Sequence, residues 1–228
     1  MRTTGGRFEA ALLDFDMTLV DMSDKVDWQD AGGKVREMLD AKGFDVSNLH
    51  HLPVSLLREA AARDSLDPET RKERWMAASA VLCKFECRGA EHTSLKEGGM
   101  ELLSYLNDSE ISVAITSSNC CRAIDYCIEK LSLEELIDMT VTRDDVLWEM
   151  KPNSRPIRVA LEKLGARADR SFGLGDSVVD IHAFSGAGVT PFGVTGGMSS
   201  RRELEDAGAA EVFSDLKELI DELSHSTR

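Results

Sequence analysis

At 228 residues, with 42% hydrophobic and 30% charged side chains, the chain is sized for one α/β domain plus a smaller insertion in a soluble globular protein. A net charge of −14 argues against nucleic acid and anionic membrane surfaces, which repel such a field. No apolar stretch approaches the ~20 residues that span a bilayer, and Met1–Arg7 has no apolar core behind its positive charges. Neither a membrane span nor a secretory signal is therefore expected, and the cytosol is the expected compartment. Five cysteines, an odd number, argue against a disulfide framework.

The first predicted element is the short apolar run Ala10-Ala11-Leu12-Leu13, a strand buried on both faces. Two acids, Asp14 and Asp16, follow at its carboxyl end. Open α/β sheets bind ligands at that end, and two carboxylates there suffice to hold Mg²⁺ and leave one free to attack. The alternative for the pair is a polar strand exit whose acids cap the next turn. From residue 21 to 95 apolar positions recur at helical spacing, through Val35, Met38 and Leu39, then Leu56, Leu57 and Ala60, then Trp75 to Cys83. Asp67-Pro68-Glu69 reads as a helix start, and no strand is predicted, so this stretch is an all-helical insertion. Within it Cys83 and Cys87 share a helix face with His92 nearby, but a zinc site lacks a fourth ligand, and two small semi-buried hydrophobes are the expectation.

From Gly98 onward strands and helices alternate. A helix through Leu102, Leu103 and Leu106 precedes a strand at Ile111–Ile115; Asn119 is the expected cap of the helix from Ile124 to Leu131. A weaker strand at 139–142 follows, then a helix from Ile157 to Leu164 closed by Gly165. The strand Ser171-Phe172-Gly173-Leu174-Gly175 carries glycines that let other backbone come close, and a helix and the strand Val189–Val194 come next. Ser200-Arg201-Arg202-Glu203 fits a capping box, and Leu216 to Leu223 marks the last helix. This alternation predicts a doubly wound parallel sheet, Rossmann-like, with the core at 1–20 and 96–228 and the helical insertion at 21–95.

In such a sheet the carboxyl ends of the strands share one edge. That edge gathers Asp14 and Asp16, Thr116 with Ser117, Lys151, and Asp176 with Asp180. The set suits phosphoryl transfer, where catalysis is mostly positioning and charge neutralisation. Asp14, the carbonyl of Asp16 and Asp176 supply hard oxygens for Mg²⁺. Thr116 and neighbouring amides donate to phosphoryl oxygens, Lys151 neutralises charge and orients the nucleophile, and Asp180 supports metal-bound water or Lys151.

Asp14-Phe15-Asp16-Met17-Thr18, Thr116 after its strand, Lys151-Pro152 and Gly175-Asp176-Ser177-Val178-Val179-Asp180 together resemble the four motifs of the haloacid dehalogenase superfamily. The insertion resembles that superfamily's C1 cap, and Gly193-Val194-Thr195-Gly196-Gly197 with Arg202–Ala209 is similar to phosphoglycolate-phosphatase-like members. The resemblance implies that Asp14 forms an aspartyl-phosphate, while Asp16 protonates the leaving alcohol and then deprotonates water. It also implies that Thr116, Ser117 and Lys151 bind the phosphoryl group and that Asp14, Asp16, Asp176 and Asp180 serve the metal, expected to be Mg²⁺. Met17 departs from the glycine of many members, and Asn153-Ser154-Arg155-Pro156 departs from the commoner Pro-rich continuation.

The expected substrate is a small phosphorylated metabolite, and the expected assembly a monomer or homodimer. A phosphosugar mutase on the same fold and a catalytically idle binding or scaffold relative are the alternatives. Dehalogenation is disfavoured because Asp16 has no use without an alcohol leaving group. Candidate substrate contacts are Arg58, Arg63, Arg74, Lys84, Arg88 and Arg122, whereas His50-His51 reads as a loop feature. Cys120-Cys121 follows the Thr116 turn, where oxidation would be felt near the site.

Overall fold

The computed structural model describes residues 8–63 and 67–225. Six strands, Ala10–Leu13 (β1), Ser112–Thr116 (β2), Met139–Val141 (β3), Ser171–Gly175 (β4), Thr190–Val194 (β5) and Glu211–Phe213 (β6), form one parallel sheet in the order β3-β2-β1-β4-β5-β6. Three helices, Trp28–Ala41 (α1), Pro53–Arg63 (α2) and Pro68–Ala90 (α3), lie in sequence between β1 and Gly99–Asp108 (α4). The rest are Cys121–Leu131 (α5), Arg143–Val146 (α6), Arg155–Leu164 (α7), Val178–Ala187 (α8), Arg201–Asp206 (α9) and Leu216–His225 (α10).

β1 lies between β2 and β4, and all four of its side chains are fully buried. Strand side chains alternate between faces, and here the alternation separates two helical layers. Ala11 and Leu13 join the core formed with Leu102 and Leu106 of α4, Ile124 of α5 and Leu219 of α10. Ala10 and Leu12 join Ile157 and Ala160 of α7 and Phe184 of α8 on the other face. Burying each such large apolar side chain stabilises the fold by about 1.5–3 kcal/mol. Both faces being covered is what makes β1 read as a continuous apolar run.

The helical segment after β1 leaves and returns through adjacent links. Val20 bridges Leu95 in antiparallel fashion, and the Lys96 amide donates to the Leu19 carbonyl at 2.8 Å. Asp21 closes the junction by accepting from the Ser94 amide at 2.6 Å and the Ser94 hydroxyl at 3.1 Å, which holds its carboxyl below the usual range. As expected, Asp67 caps α3, accepting from the Thr70 amide at 3.0 Å. Val35, Leu39, Leu56, Leu57, Trp75 and Leu82 form the buried interior of α1–α3. The Trp75 ring meets Trp148 edge-on at 6.4 Å, so this interior runs on into the segment after α6.

Four expectations are corrected. β6 was not predicted, because three residues at the sheet edge carry no period. Asn119 does not cap α5. Its side chain is turned to Ser117 and Glu86, and the first amides of α5 are met by carboxylates from elsewhere: Cys120 N–H by Glu86 at 3.1 Å and Cys121 N–H by Asp144 at 2.8 Å. Gly173 makes room for the ring of Phe184, not for backbone. Finally, Cys83 and Cys120 form a disulfide despite the odd cysteine count. Packing of α3 along α5 brings their Cα atoms to 5.6 Å across 37 residues of sequence.

A Cβ at position 173 would fall inside the Phe184 ring. Gly173→Ala is expected to destabilise the protein by about 1–3 kcal/mol, read as a lowered urea midpoint with an unchanged slope.

Candidate active site

The carboxyl edge of the sheet brings together residues from the ends of β1, β2 and β4 with Lys151, which lies beyond α6 and not directly after β3. Asp14 directly follows β1, and its amide donates to the Leu174 carbonyl of β4 at 2.8 Å, which fixes its backbone against the neighbouring strand. One carboxylate oxygen accepts from Lys151 Nζ at 2.6 Å and the other from the Thr18 hydroxyl at 2.9 Å. Thr18 also lies 3.2 Å from Asp176, so a single hydroxyl bridges two acids. The Lys151 ammonium is further paired with Asp180, whose second oxygen closes a capping box with Ser177 at the start of α8. Asp176 is anchored by the Met198 amide at 2.6 Å. The carboxylates of Asp14, Asp176 and Asp180 present oxygens within 4.8 Å of one another.

Burial dominates the electrostatics. It pushes the Asp14 carboxyl up to about 7, opposed by Lys151 and reinforced by Asp180 and Asp176. Asp176 rises to about 6 by burial and the charge of Asp180. Lys151 goes the other way from an ordinary buried lysine: desolvation works against its charge, but Asp14 and Asp180 hold its pKa above the usual value. Three hard-oxygen acids crowded against one ammonium leave an excess of negative charge. That donor set fits a divalent cation of the Mg²⁺ type, which would relieve the repulsion.

Asp16 stands apart from this cluster. Its carboxylate accepts from the Ser23 amide at 2.8 Å and the Ser23 hydroxyl at 2.6 Å, and burial raises it to about 7 against those hydrogen bonds. Its carboxylate is not among the oxygens that Asp14, Asp176 and Asp180 bring within 4.8 Å of one another, against the expectation that it serves the metal with them. Between the two acids and the helical segment, Met17 sits at φ +67°, a left-handed conformation that glycine adopts more readily. Its carbonyl is held by Lys96 Nζ at 2.6 Å. The second departure is also accommodated: the Asn153 side chain accepts from the Arg155 amide at 2.9 Å, and Pro156 sits in the first turn of α7.

Thr116 ends β2 fully buried, and its hydroxyl has no hydrogen-bond partner. Ser117 lies beside it, but its donors are engaged within the protein, the amide with Val141 at 2.9 Å and the hydroxyl with Asn119 at 2.9 Å. Thr116 thus differs from Ser117 in keeping a buried hydroxyl without a partner. An orphaned buried hydroxyl is costly and points to a ligand oxygen.

Behind the turn lies a network that sequence reading missed. Glu86 of α3 and Arg143 of α6 are both fully buried and pair bidentately at 2.6 and 2.7 Å. Glu86 also takes Asn119 Nδ2 at 3.2 Å, and Arg143 reaches the Ser118 carbonyl at 3.0 Å and the Ser79 hydroxyl at 2.8 Å. Two charges scattered among many gave no sign of this; only a buried location distinguishes them.

Of the candidate substrate contacts, Arg58 donates to the Lys151 carbonyl at 3.0 Å and so reaches the site from α2. Arg63 is turned to the Ser47 carbonyl, Arg88 lies over the Phe85 ring, and Lys84 and Arg122 are exposed. Arg74 is half-buried beside Gly43. His50 and His51 stack on each other at 4.5 Å in their loop. His92 is exposed and takes no part in the sulfur cluster, which consists of Cys83, Cys87 and Cys120.

Residues 11–194 match the haloacid dehalogenase-like hydrolase family. The chain belongs to it. Among curated relatives in the family, a phosphoglycolate phosphatase of Rhodospirillum rubrum is 32% identical over 128 residues, 56% of this chain and 52% of that protein. A phosphoglycolate phosphatase of Colwellia psychrerythraea is 24% identical over 221 residues, 93% of this chain and 95% of that one. The chain thus matches about half the length of the first relative and nearly all of the second. A hydrolase from Pseudomonas syringae has the same fold, with TM-score 0.68 and 23% identity over 96% of this chain and 98% of its own.

Two variants test the site's energetics. Arg143→Met leaves Glu86 as an uncompensated buried charge and is expected to cost about 3–5 kcal/mol in chemical denaturation. Thr116→Val removes a hydroxyl that satisfies nothing and is expected to stabilise the protein by about 1 kcal/mol or more in the same measurement.

Proposed function

We propose that this haloacid dehalogenase-like protein is a Mg²⁺-dependent phosphatase that hydrolyses a small phosphorylated metabolite through an aspartyl-phosphate on Asp14. The observation that carries the reading is the meeting of Asp14, Lys151 and the unpartnered Thr116 hydroxyl beside two further acids at one sheet edge. The phosphatase names of the relatives agree with it. The net charge of −14 favours a small substrate drawn in by a local cation over a polyanion.

In this reading Asp14 Oδ attacks phosphorus while the bond from phosphorus to the ester oxygen breaks, and Asp16 delivers its proton to the departing alkoxide. Asp16 then takes a proton from water as that water attacks phosphorus, and the Asp14 carboxylate leaves with phosphate released. The Thr116 hydroxyl donates to a phosphoryl oxygen, while Ser117 holds the turn in place through Asn119. Lys151 keeps the reacting oxygen of Asp14 oriented and offsets phosphoryl charge. Asp14, the Asp16 carbonyl and Asp176 would hold Mg²⁺, with Asp180 orienting Lys151. When bound, the metal supplies charge neutralisation for phosphoryl oxygens and nucleophile alike. Residues 21–95 act as the cap over this edge, 1–20 and 96–228 as the core, and the protein works in the cytoplasm as a monomer or homodimer.

A panel of phosphomonoesters assayed with Mg²⁺ tests the proposal. At least one small ester should release inorganic phosphate, and Asp14→Asn should bring release to background. EDTA should abolish turnover, with Mg²⁺ restoring it and also raising the Tm of the parent more than that of Asp176→Asn. An isomerised sugar phosphate accumulating in place of free phosphate would move the assignment to a mutase, and an Asp14→Asn protein as active as the parent would refute it.

A further inference from the structure

A second chemical site lies behind the Thr116 turn, outside the carboxylate cluster. Three sulfurs, from Cys83 and Cys87 on α3 and Cys120 at the cap of α5, lie within 4.8 Å of one another. Cys83 and Cys120 are bonded, and Cys87 Sγ stands 3.9 Å from Cys83 Sγ. Cys120 is buried, whereas Cys83 and Cys87 are half-exposed, so a small molecule in solvent reaches the bond from the α3 side. We propose that the Cys83–Cys120 bond is a reversible thiol–disulfide exchange site, taking low-molecular-weight thiols and disulfides of the glutathione type, and that it restrains α3 against the turn carrying Thr116.

The chemistry balances without any other reactant. A thiolate RS⁻ attacks Cys83 Sγ, the bond to Cys120 breaks, and Cys120 leaves as a thiolate that takes up a proton. A second RS⁻ attacks the external sulfur of the Cys83 mixed disulfide, releasing RSSR and the Cys83 thiol. The protein disulfide and two RSH thus become two protein thiols and RSSR, and the reverse sequence with RSSR restores the bond. The bond joins Cys83 to Cys120 and leaves Cys87 as a free thiol beside it, its pKa raised by burial. Neither remaining cysteine competes. Cys121 donates to Asp125 at 3.0 Å and is pushed up to about 12 by that bond and by burial, and Cys127 is buried and likewise raised to about 12.

The position of the bond gives it a consequence. Cys120 lies four residues beyond Thr116, and its amide is held by Glu86, one turn along α3 from Cys83. In the oxidised structure Asp14 is 7% exposed, Lys151 3% and Thr116 0%, and Arg58 of α2 rests on the Lys151 carbonyl at 3.0 Å, so on the phosphatase reading a phosphoester needs the helical segment to move. The bridge between Val20 and Leu95 marks where the chain enters and leaves that segment, and a covalent tie from α3 to α5 opposes its movement. The oxidised protein is therefore the slower form, a consequence for turnover that rests on the phosphatase reading.

The full chain is equilibrated with either reduced glutathione or glutathione disulfide, acid-quenched, and alkylated with N-ethylmaleimide in denaturant for intact mass. The oxidised sample should carry three alkyl groups, on Cys87, Cys121 and Cys127, and the reduced sample five. Hydrogen exchange at residues 83–90 and 117–121 should be slower in the oxidised form. With p-nitrophenyl phosphate and Mg²⁺, kcat/KM should fall at least about fivefold on oxidation and recover on reduction, and neither Cys83→Ser nor Cys120→Ala should respond. Five alkyl groups after oxidation, or equal exchange in both forms, would overturn the proposal. If no ester is turned over in either form, the phosphatase reading falls, while the alkyl count and the exchange rates still decide the switch.

Discussion

Burying three carboxylates within reach of one ion is possible here because the Lys151 ammonium is buried among them. It pairs with Asp14 and Asp180 at once, and those two acids raise its pKa against the desolvation that would otherwise neutralise it. An isolated carboxylate moved out of water costs several kcal/mol, and like charges nearby add to that. Lys151 offsets part of the cost for two acids, and the Thr18 and Met198 donors offset more for Asp14 and Asp176. Burial first and the neighbouring carboxylates second raise Asp14 and Asp176, and the excess of negative charge that remains is what a divalent cation would remove. The backbone scaffold for all of this is the parallel sheet, which gathers strand ends from distant sequence onto one edge.

The helical segment between β1 and α4 is joined to that edge in three physically different ways. Short links at Val20 and Leu95 carry the chain, and Asp21 fastens them to each other through Ser94. The Glu86–Arg143 pair and the Cys83–Cys120 bond fasten α3 to the Thr116 turn. Arg58 touches the Lys151 carbonyl from α2. The order of the turn after β2 therefore depends on the helical segment, because α3 supplies Glu86 and Cys83 as partners of residues 119 and 120.

Much of this was legible in the chain, and the reasons are specific. β1 could be read because four consecutive apolar residues have no solvent face. Asp14, Thr116 and Asp176 could be read because each ends or directly follows an apolar strand, and a parallel sheet brings such residues together; Lys151 is reached only past α6, and Asp180 lies within α8. β6 could not be read, since three residues at an edge carry no pattern. Thr18 passed for a turn residue, and its bridging of Asp14 and Asp176 is visible only once the strands are side by side. Ser117 looked equivalent to Thr116, yet its donors are taken by Val141 and Asn119.

The sequence by itself determined the fold class, the helical nature of the insertion and the residue types at the candidate site, because hydrophobic period and strand-end chemistry are local properties. Tertiary structure decided the rest. It separated Asp16, held by Ser23, from the carboxylates that can share a cation. It turned Glu86 and Arg143 from two unremarkable charges into a buried pair. It also joined Cys83 to Cys120 in a chain whose odd cysteine count pointed to free thiols. Each of these depends on burial and on contact between segments distant in sequence, and neither quantity is written in local order.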